Sequence, residues 1–296
     1  QRQMCIRDRS GTVTNLTGSA ANIKQLFVDK IDSTPVDTVF TDNPTVTITG
    51  ATAAAADLIS INGDTTGTIT VNAAEISGSK NNIDTVLAAN AATPADGDTI
   101  TGIAVTGANA INLDISDAVV INSLPTYTAL TTGNITATVT ETNISTLLTD
   151  ANKAKMGTGN KLSFSVTGST VAGPAASNDI LAADLIALKA IANGGSIKAT
   201  VAGSIKGSIA DLKTVYNANT ALNGGNVVAG SIFAGLEAEP MVVSDSIINA
   251  ADLTYLTAKN GALGVTHDAT HVTGTKAEII AVYTADEAGA TIAGTD

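Results

Sequence analysis

An α/β fold of repeated strand–helix half-units, forming a solenoid with parallel strands stacked along its axis, is what this sequence predicts. Three observations carry that prediction. A twelve-residue stretch, Ile205–Tyr216, recurs as Leu16–Phe27, Ile76–Leu87 and Val272–Tyr283. Between its copies lies a second helix type marked Ala-Asp-Leu, at Ala56-Asp57-Leu58, Ala183-Asp184-Leu185 and Ala251-Asp252-Leu253. Runs of alternating Val, Ile and Thr stand ahead of the helices. Allowing for one degenerate copy of each kind, the double unit repeats about every 64 residues.

Each copy of the first stretch reads as the end of a strand, a turn and a short amphipathic helix. The Gly (Gly18, Gly78, Gly207, Gly274) is expected to supply positive φ as the chain leaves the strand. Ser19, Ser79, Ser208 or Thr275 follows as an N-cap. Thr275 with Glu278 forms a capping box, and Ser208 with Asp211 approximates one. The apolar residues then fall on one helical stripe: Ile23/Leu26/Phe27, Ile83/Val86/Leu87, Leu212/Val215/Tyr216 and Ile279/Val282/Tyr283. Three such side chains contribute about 1.5–3 kcal/mol each when buried. Ordering a half-unit of about thirty residues costs roughly 1–2 kcal/mol per residue. One unit therefore needs neighbours to stack against.

The Ala-Asp-Leu helices are expected to end at Asn62-Gly63, Asn193-Gly194-Gly195 and Asn260-Gly261, where a Gly suits the C-terminus. Asn249 is the expected cap of the last of them. The degenerate member is Ser116–Leu124, read as a helix that Pro125 interrupts. The degenerate copy of the first type lies at Asn143, where Ile144/Leu147/Leu148 keep the stripe without the Gly. Predicted strands are Thr45–Thr49, Gly67–Val71, Gly102–Thr106, Ile135–Thr140, Leu162–Thr167, Ile197–Val201, Met241–Ser244 and Leu263–His267. Short extended pieces are added at Glu75–Ser77, Ser204–Lys206 and His271–Thr273. The long connections, Ala89–Ile100 and Ala218–Pro240, are expected to emerge on one side as an interaction face.

Composition bounds the function. The chain has 296 residues, net charge −12, 44% hydrophobic residues, 3% aromatics and no Trp. Its apolar content suits thin regular layers rather than one large core. All three arginines (Arg2, Arg7, Arg9) and the single Cys5 lie in the first ten residues. Beyond Ser10, acidic residues outnumber lysines 26 to 12. Nucleic acid is therefore not an expected partner, because it requires a basic footprint. No apolar run reaches transmembrane length, so membrane insertion is not expected either. Gln1–Ser10 matches nothing downstream and reads as a non-native, adapter-derived tail. Residues 11–296 read as the repeat array, an internal piece of a longer one.

Candidate chemistry is sparse. Asp96 and Asp98, and Asp114 and Asp117, offer oxygen ligands for calcium, the one cofactor the sequence leaves open. No EF-hand loop or Gly-rich calcium nonapeptide accompanies them, and solvated turns explain them as well. His267 and His271 are read as surface residues about 13 Å apart on an extended segment, too far to share an ion. Lys206-Gly207-Ser208 lacks the pattern of a phosphate loop, and no nucleophile elbow is present. The acids at helix starts (Asp184, Asp211, Asp252, Glu278) are accounted for by capping and the helix dipole. No catalytic residue is assigned, and the chain is expected not to be an enzyme.

The alternation of Ile205–Tyr216 with Ala234–Asp245 and Asn249–Leu253 resembles the long Thr/Ala/Gly-rich repeats of giant secreted surface proteins of marine cyanobacteria and other aquatic bacteria. That resemblance implies export to the cell surface or matrix by a type I route. It also implies a structural or adhesive role, with neighbouring repeats, surface glycans or matrix proteins as partners. A spacer or adhesive stalk is the first expectation. A calcium- or glycan-binding solenoid using the long-loop face is the alternative.

Overall fold

The computed structural model describes residues 13–32, 40–91, 100–101, 111–168, 179–200, 203–218, 233–234, 236, 239–260, 264–287 and 292–293. The fold is mixed α/β with parallel sheets. It divides into two compact units, Gln1–Val119 with Ser123–Thr138, and Val120–Asn122 with Val139–Asp296.

The first unit runs β1 (Val13–Gly18), α1 (Ala20–Asp32), β2 (Phe40–Ile48), β3 (Thr52–Ala54), α2 (Ala55–Asp64), β4 (Ile69–Val71), β5 (Glu75–Gly78), α3 (Lys80–Ala91), β6 (Ile100–Thr101), β7 (Asn112–Val119), α4 (Leu124–Leu130) and β8 (Ile135–Val139). Strands β1, β2, β4 and β6 lie side by side in that order. Leu16 pairs with Val46, Val46 with Ile69, and Ile69 with Ile100. A second ladder joins β3, β5 and β7 through Ala53–Ile76 and Ile76–Leu113. Each of these pairings is parallel, as crossover helices require. Ile76 and Leu113 are fully buried, as are Ile48, Ile69 and Val71. Period-two alternation thus places one apolar row per strand inside.

The second unit runs α5 (Ile144–Leu147), α6 (Asp150–Met156), β9 (Lys161–Val166), β10 (Ile180–Leu181), α7 (Ala182–Ala192), β11 (Ile197–Ala199), β12 (Ile205–Gly207), α8 (Ile209–Asn217), β13 (Phe233–Ala234), β14 (Met241–Val243), β15 (Ile247–Asn249), α9 (Ala250–Asn260), β16 (Val265–His267), β17 (His271–Thr273), α10 (Lys276–Glu287) and β18 (Ile292–Ala293). Ile197 pairs with Phe164 on one side and Phe233 on the other. A five-stranded parallel ladder runs β10-β12-β14-β16-β18, and β15 pairs with β17.

The expected caps form. Ser19 Oγ accepts the Asn22 N–H at 3.3 Å, Ser79 that of Asn82 at 3.3 Å, and Ser208 that of Asp211 at 3.2 Å. Thr275 and Glu278 close the capping box: Thr275 N–H donates to Glu278 Oε2 at 2.7 Å, and Glu278 N–H to Thr275 Oγ1 at 3.4 Å. Asn249 accepts the Ala251 N–H at 2.9 Å. The predicted strands within the described residues form, and all three short extended pieces become β5, β12 and β17.

The recurring Gly has a different reason from the expected one. Positive φ occurs at Gly78 (157°) and Gly274 (150°), near the extended edge of that range, and not at Gly18 or Gly207. At three of the four positions the shared cause is close approach, whereas a Cβ on Gly18 would meet only Ile23 of its own helix at 3.4 Å. A Cβ on Gly207 would lie 2.9 Å from Ala182 Cβ, one on Gly78 3.2 Å from Ala55 Cβ, and one on Gly274 3.3 Å from Ala250 Cβ. Ala55, Ala182 and Ala250 each open an Ala-Asp-Leu helix and are fully buried. Glycine on one half-unit against alanine on the preceding one is the packing joint.

Four further expectations are corrected. Pro125 does not interrupt a helix but starts one: the chain stays extended through Val119, turns at Ile121–Ser123, and α4 begins at Leu124 with Pro125 in its first turn, where the missing N–H costs nothing. Asn62-Gly63 does not end α2, which continues to Asp64. There Thr65 takes over, donating its buried hydroxyl to Pro44 O at 2.9 Å and accepting the Gly67 N–H at 3.0 Å. Thr131 repeats this after α4, bonding Ile111 O at 2.6 Å and Gly133 N–H at 2.9 Å, so α2 and α4 are equivalent elements. Helix α6 was not expected; Thr149 caps it through Asn152 N–H. His267 is buried rather than on the surface, with 4% exposure, and its Nδ1 accepts the Ala269 N–H at 3.2 Å.

Candidate functional site

The carboxylates show first what this chain does with its acidic excess. Asp117 lies two residues past the β7 residue that pairs with Gly78, and its Oδ2 accepts the Lys80 N–H at 2.8 Å. Lys80 is the first residue of α3. Asp245 stands in the same relation to Gly207 and accepts the N–H of Ile209, the first residue of α8, at 2.6 Å. Glu141 accepts the Ile121 N–H at 3.0 and 3.1 Å. At α3 and α8 a following half-unit thus supplies an anion to the first helical N–H, in addition to that helix's own Ser cap.

Two of the sequence candidates for calcium, Asp114 and Asp117, lie among the described residues. Asp117 is committed to α3, while Asp114 lies half-exposed on β7. Asp96 and Asp98 lie outside the described residues. Among the described residues, no three His, Cys, Asp or Glu side chains group closely enough to hold a metal ion. Most of the two long connections, 92–99 and 219–232, also lies outside the described residues. His271 is exposed on β17 and bonds Thr270 Oγ1 through Nδ1 at 2.9 Å.

One cluster was missed. An open groove of about 330 Å³ lies between α3 and α4, over Leu87, Ala88 and Leu130. Asp84 is at its wall. Its Oδ2 receives Lys80 Nζ at 2.5 Å, and its Oδ1 receives the Tyr127 hydroxyl at 2.9 Å. The hydrogen bond to Asp84 holds the Lys80 ammonium above the ordinary lysine range. Burial, then the bond to Asp84, pushes the Tyr127 phenol above its ordinary value. Both groups keep their protons at neutral pH, so neither Lys80 nor Tyr127 offers a free base there. It ties α4 to α3. The Lys80/Asp84 spacing of four is readable on a helix, but Pro125 hid the helix that carries Tyr127.

Other helix–helix contacts use the Ala-Asp-Leu acids. Lys24 Nζ pairs with Asp57 Oδ1 at 2.7 Å, and Lys213 pairs with Asp252. Lys213 and Lys259 also stand 5.2 and 5.8 Å from the Tyr255 ring centre. Asp184 has no such partner among the described residues, and burial raises its carboxyl above the ordinary range. No helix among the described residues is long and apolar enough to cross a membrane. Comparison with protein families, with curated proteins and with solved structures finds no match.

Proposed function

We propose that this chain is a structural spacer or adhesive stalk segment of a large extracellular bacterial repeat protein, built as an α/β solenoid. One observation carries the reading: the same neighbour-to-neighbour contacts recur along the chain. Gly meets Ala at three joints, and a carboxylate of the next half-unit caps the preceding helix at Lys80, Ile121 and Ile209. Asp117, Glu141 and Asp245 are engaged at these joints. A protein whose titratable groups hold its own repeats together is suited to setting a length. The acidic, arginine-poor array fits an exported surface protein.

The test exploits the one-dimensional character of such a stack. Each half-unit adds about 4.8 Å, the spacing between neighbouring strands. A chain cut after Asn217 loses two half-units, which shortens the long axis by about 10 Å. Small-angle scattering is expected to show this loss at unchanged cross-section, with the helical circular dichroism reduced only in proportion. A truncated chain that unfolds, or shrinks equally in all directions, refutes the reading.

A further inference from the structure

The last helix of the second unit differs from its equivalents in one respect. Nine residues after the joint Gly, Phe27 is 2% exposed, Leu87 4% and Tyr216 0%, whereas Tyr283 is 44% exposed. Ile280 beside it is 53% exposed. On α8, Tyr216 is fully buried, and the helix of the following half-unit, α9, packs against α8. Among the described residues, strand β17 is likewise paired on one side only, with β15. Its equivalents β5 and β12 are paired on both sides.

Strand β18 shows what belongs there. It pairs Ile292 with Val265 and Ala293 with Thr266. Strand β13 pairs Phe233 with Ile197 and Ala234 with Lys198 in the same way. The sequences that follow also agree, Phe233-Ala234-Gly235 against Ile292-Ala293-Gly294. β13 opens the half-unit that goes on through Asp245 to α9, and that half-unit covers α8. At α10, Lys276 is the first helical residue, as Lys80 and Ile209 are in α3 and α8. Among the described residues no carboxylate of a following half-unit reaches it.

We infer that the face formed by the open edge of β17, the start of α10, Ile280 and Tyr283 is a docking surface for one further Ala-Asp-Leu-type half-unit. That partner brings an apolar helix onto Tyr283 and an acidic residue onto the Lys276 N–H. It continues the interface that α9 makes with α8. The inference rests on the repeat-stack reading, and on neither the adhesive nor the extracellular part of it.

The test extends the whole chain: residues 1–294 followed by a second copy of residues 236–260. Hydrogen exchange followed by mass spectrometry reads the α10 amides. Exchange is expected to slow about tenfold or more in the extended chain. Tyr283→Lys in the extended chain is expected to restore the faster rate. Unchanged α10 exchange on extension overturns the inference. A second measurement uses the natural chain alone: Tyr283 is expected to be nitrated by tetranitromethane well ahead of Tyr216. A protected Tyr283 in the monomer overturns the inference. So does concentration-dependent doubling of mass with slowed α10 exchange, which makes a second copy the occupant. Failure of the stack reading itself appears elsewhere, in the truncated chain that fails to keep its fold.

Discussion

The joint between half-units makes a sharp demand on Gly207. An alanine there places its Cβ 2.9 Å from Ala182 Cβ, and Ala182 is fully buried. Real Cβ contacts do not come so close, and the obstacle is the stem of a helix rather than a flexible tip. Two effects compete. Replacing Gly with Ala removes unfolded-state freedom and stabilises by about 0.4–1 kcal/mol where the backbone permits. Overpacking a close-packed contact costs about 1–3 kcal/mol. Gly207 lacks the positive φ that would add strain of its own, so the contact decides the sign. Gly207→Ala should therefore destabilise by a net of about 1–2 kcal/mol. Urea unfolding checks this as a lower midpoint at unchanged slope. Ala182→Gly should relieve the clash. The double variant is then less destabilised than the sum of the singles by about 1 kcal/mol, beyond ordinary additivity error. A neutral or stabilising Gly207→Ala refutes the joint, as does strict additivity.

Two further outcomes follow from single groups. Thr131→Val leaves Ile111 O and the Gly133 N–H without the buried hydroxyl that bonds both, and thermal unfolding should show a cost of about 1–3 kcal/mol. Asp184→Asn should act in the opposite direction. Burial raises the Asp184 carboxyl above its unfolded value, so the folded state binds more protons between those two values and stability falls as pH rises through that window. The charged side chain is thus a net cost at neutral pH. It is half-exposed and screened, which limits the gain on Asp184→Asn to about 0.5 kcal/mol. Urea midpoints at pH 7 and pH 3 check it: the difference between variant and natural chain should vanish at the lower pH.

Local chemistry was legible in the sequence wherever it repeated. Ser19, Ser79, Ser208 and Thr275 announce their helices because cap and stripe are both set by residues within one turn. Strands such as β9 and β14 follow from alternation alone. What failed was non-local or rested on one ambiguous residue. Pro125 reads equally as a breaker or as a first-turn residue, and only the extended path of β7 decides between them. The joint glycines read as turn formers because their real constraint, an alanine 23 to 25 residues earlier, is a distance in space rather than a pattern in the chain. His267 was misplaced for the same reason: the row that buries it comes from its pairing with Val243. The contact of Asp117 with α3 had a signal in the sequence, since Ser116-Asp117 and Ser244-Asp245 each directly follow the residue that pairs with a joint Gly, Ile115 or Val243.

That last pair bears on why the chain is so acidic. A helix start already capped by Ser gains from a second anion because several N–H groups remain beyond the reach of one hydroxyl. If the anion came from the same half-unit, as Glu278 does at Thr275, it would strengthen one helix and nothing else. Asp117 and Asp245 come instead from the half-unit that follows, so the bond also fixes the register of one repeat on the next. Lysines add to this at Lys24, which pairs with Asp57, at Lys213, which pairs with Asp252, and at Lys155, which bonds Asn122. Contacts of this kind call for carboxylates rather than cations. Asp117, Glu141 and Asp245 are the part of the acidic excess that this use accounts for.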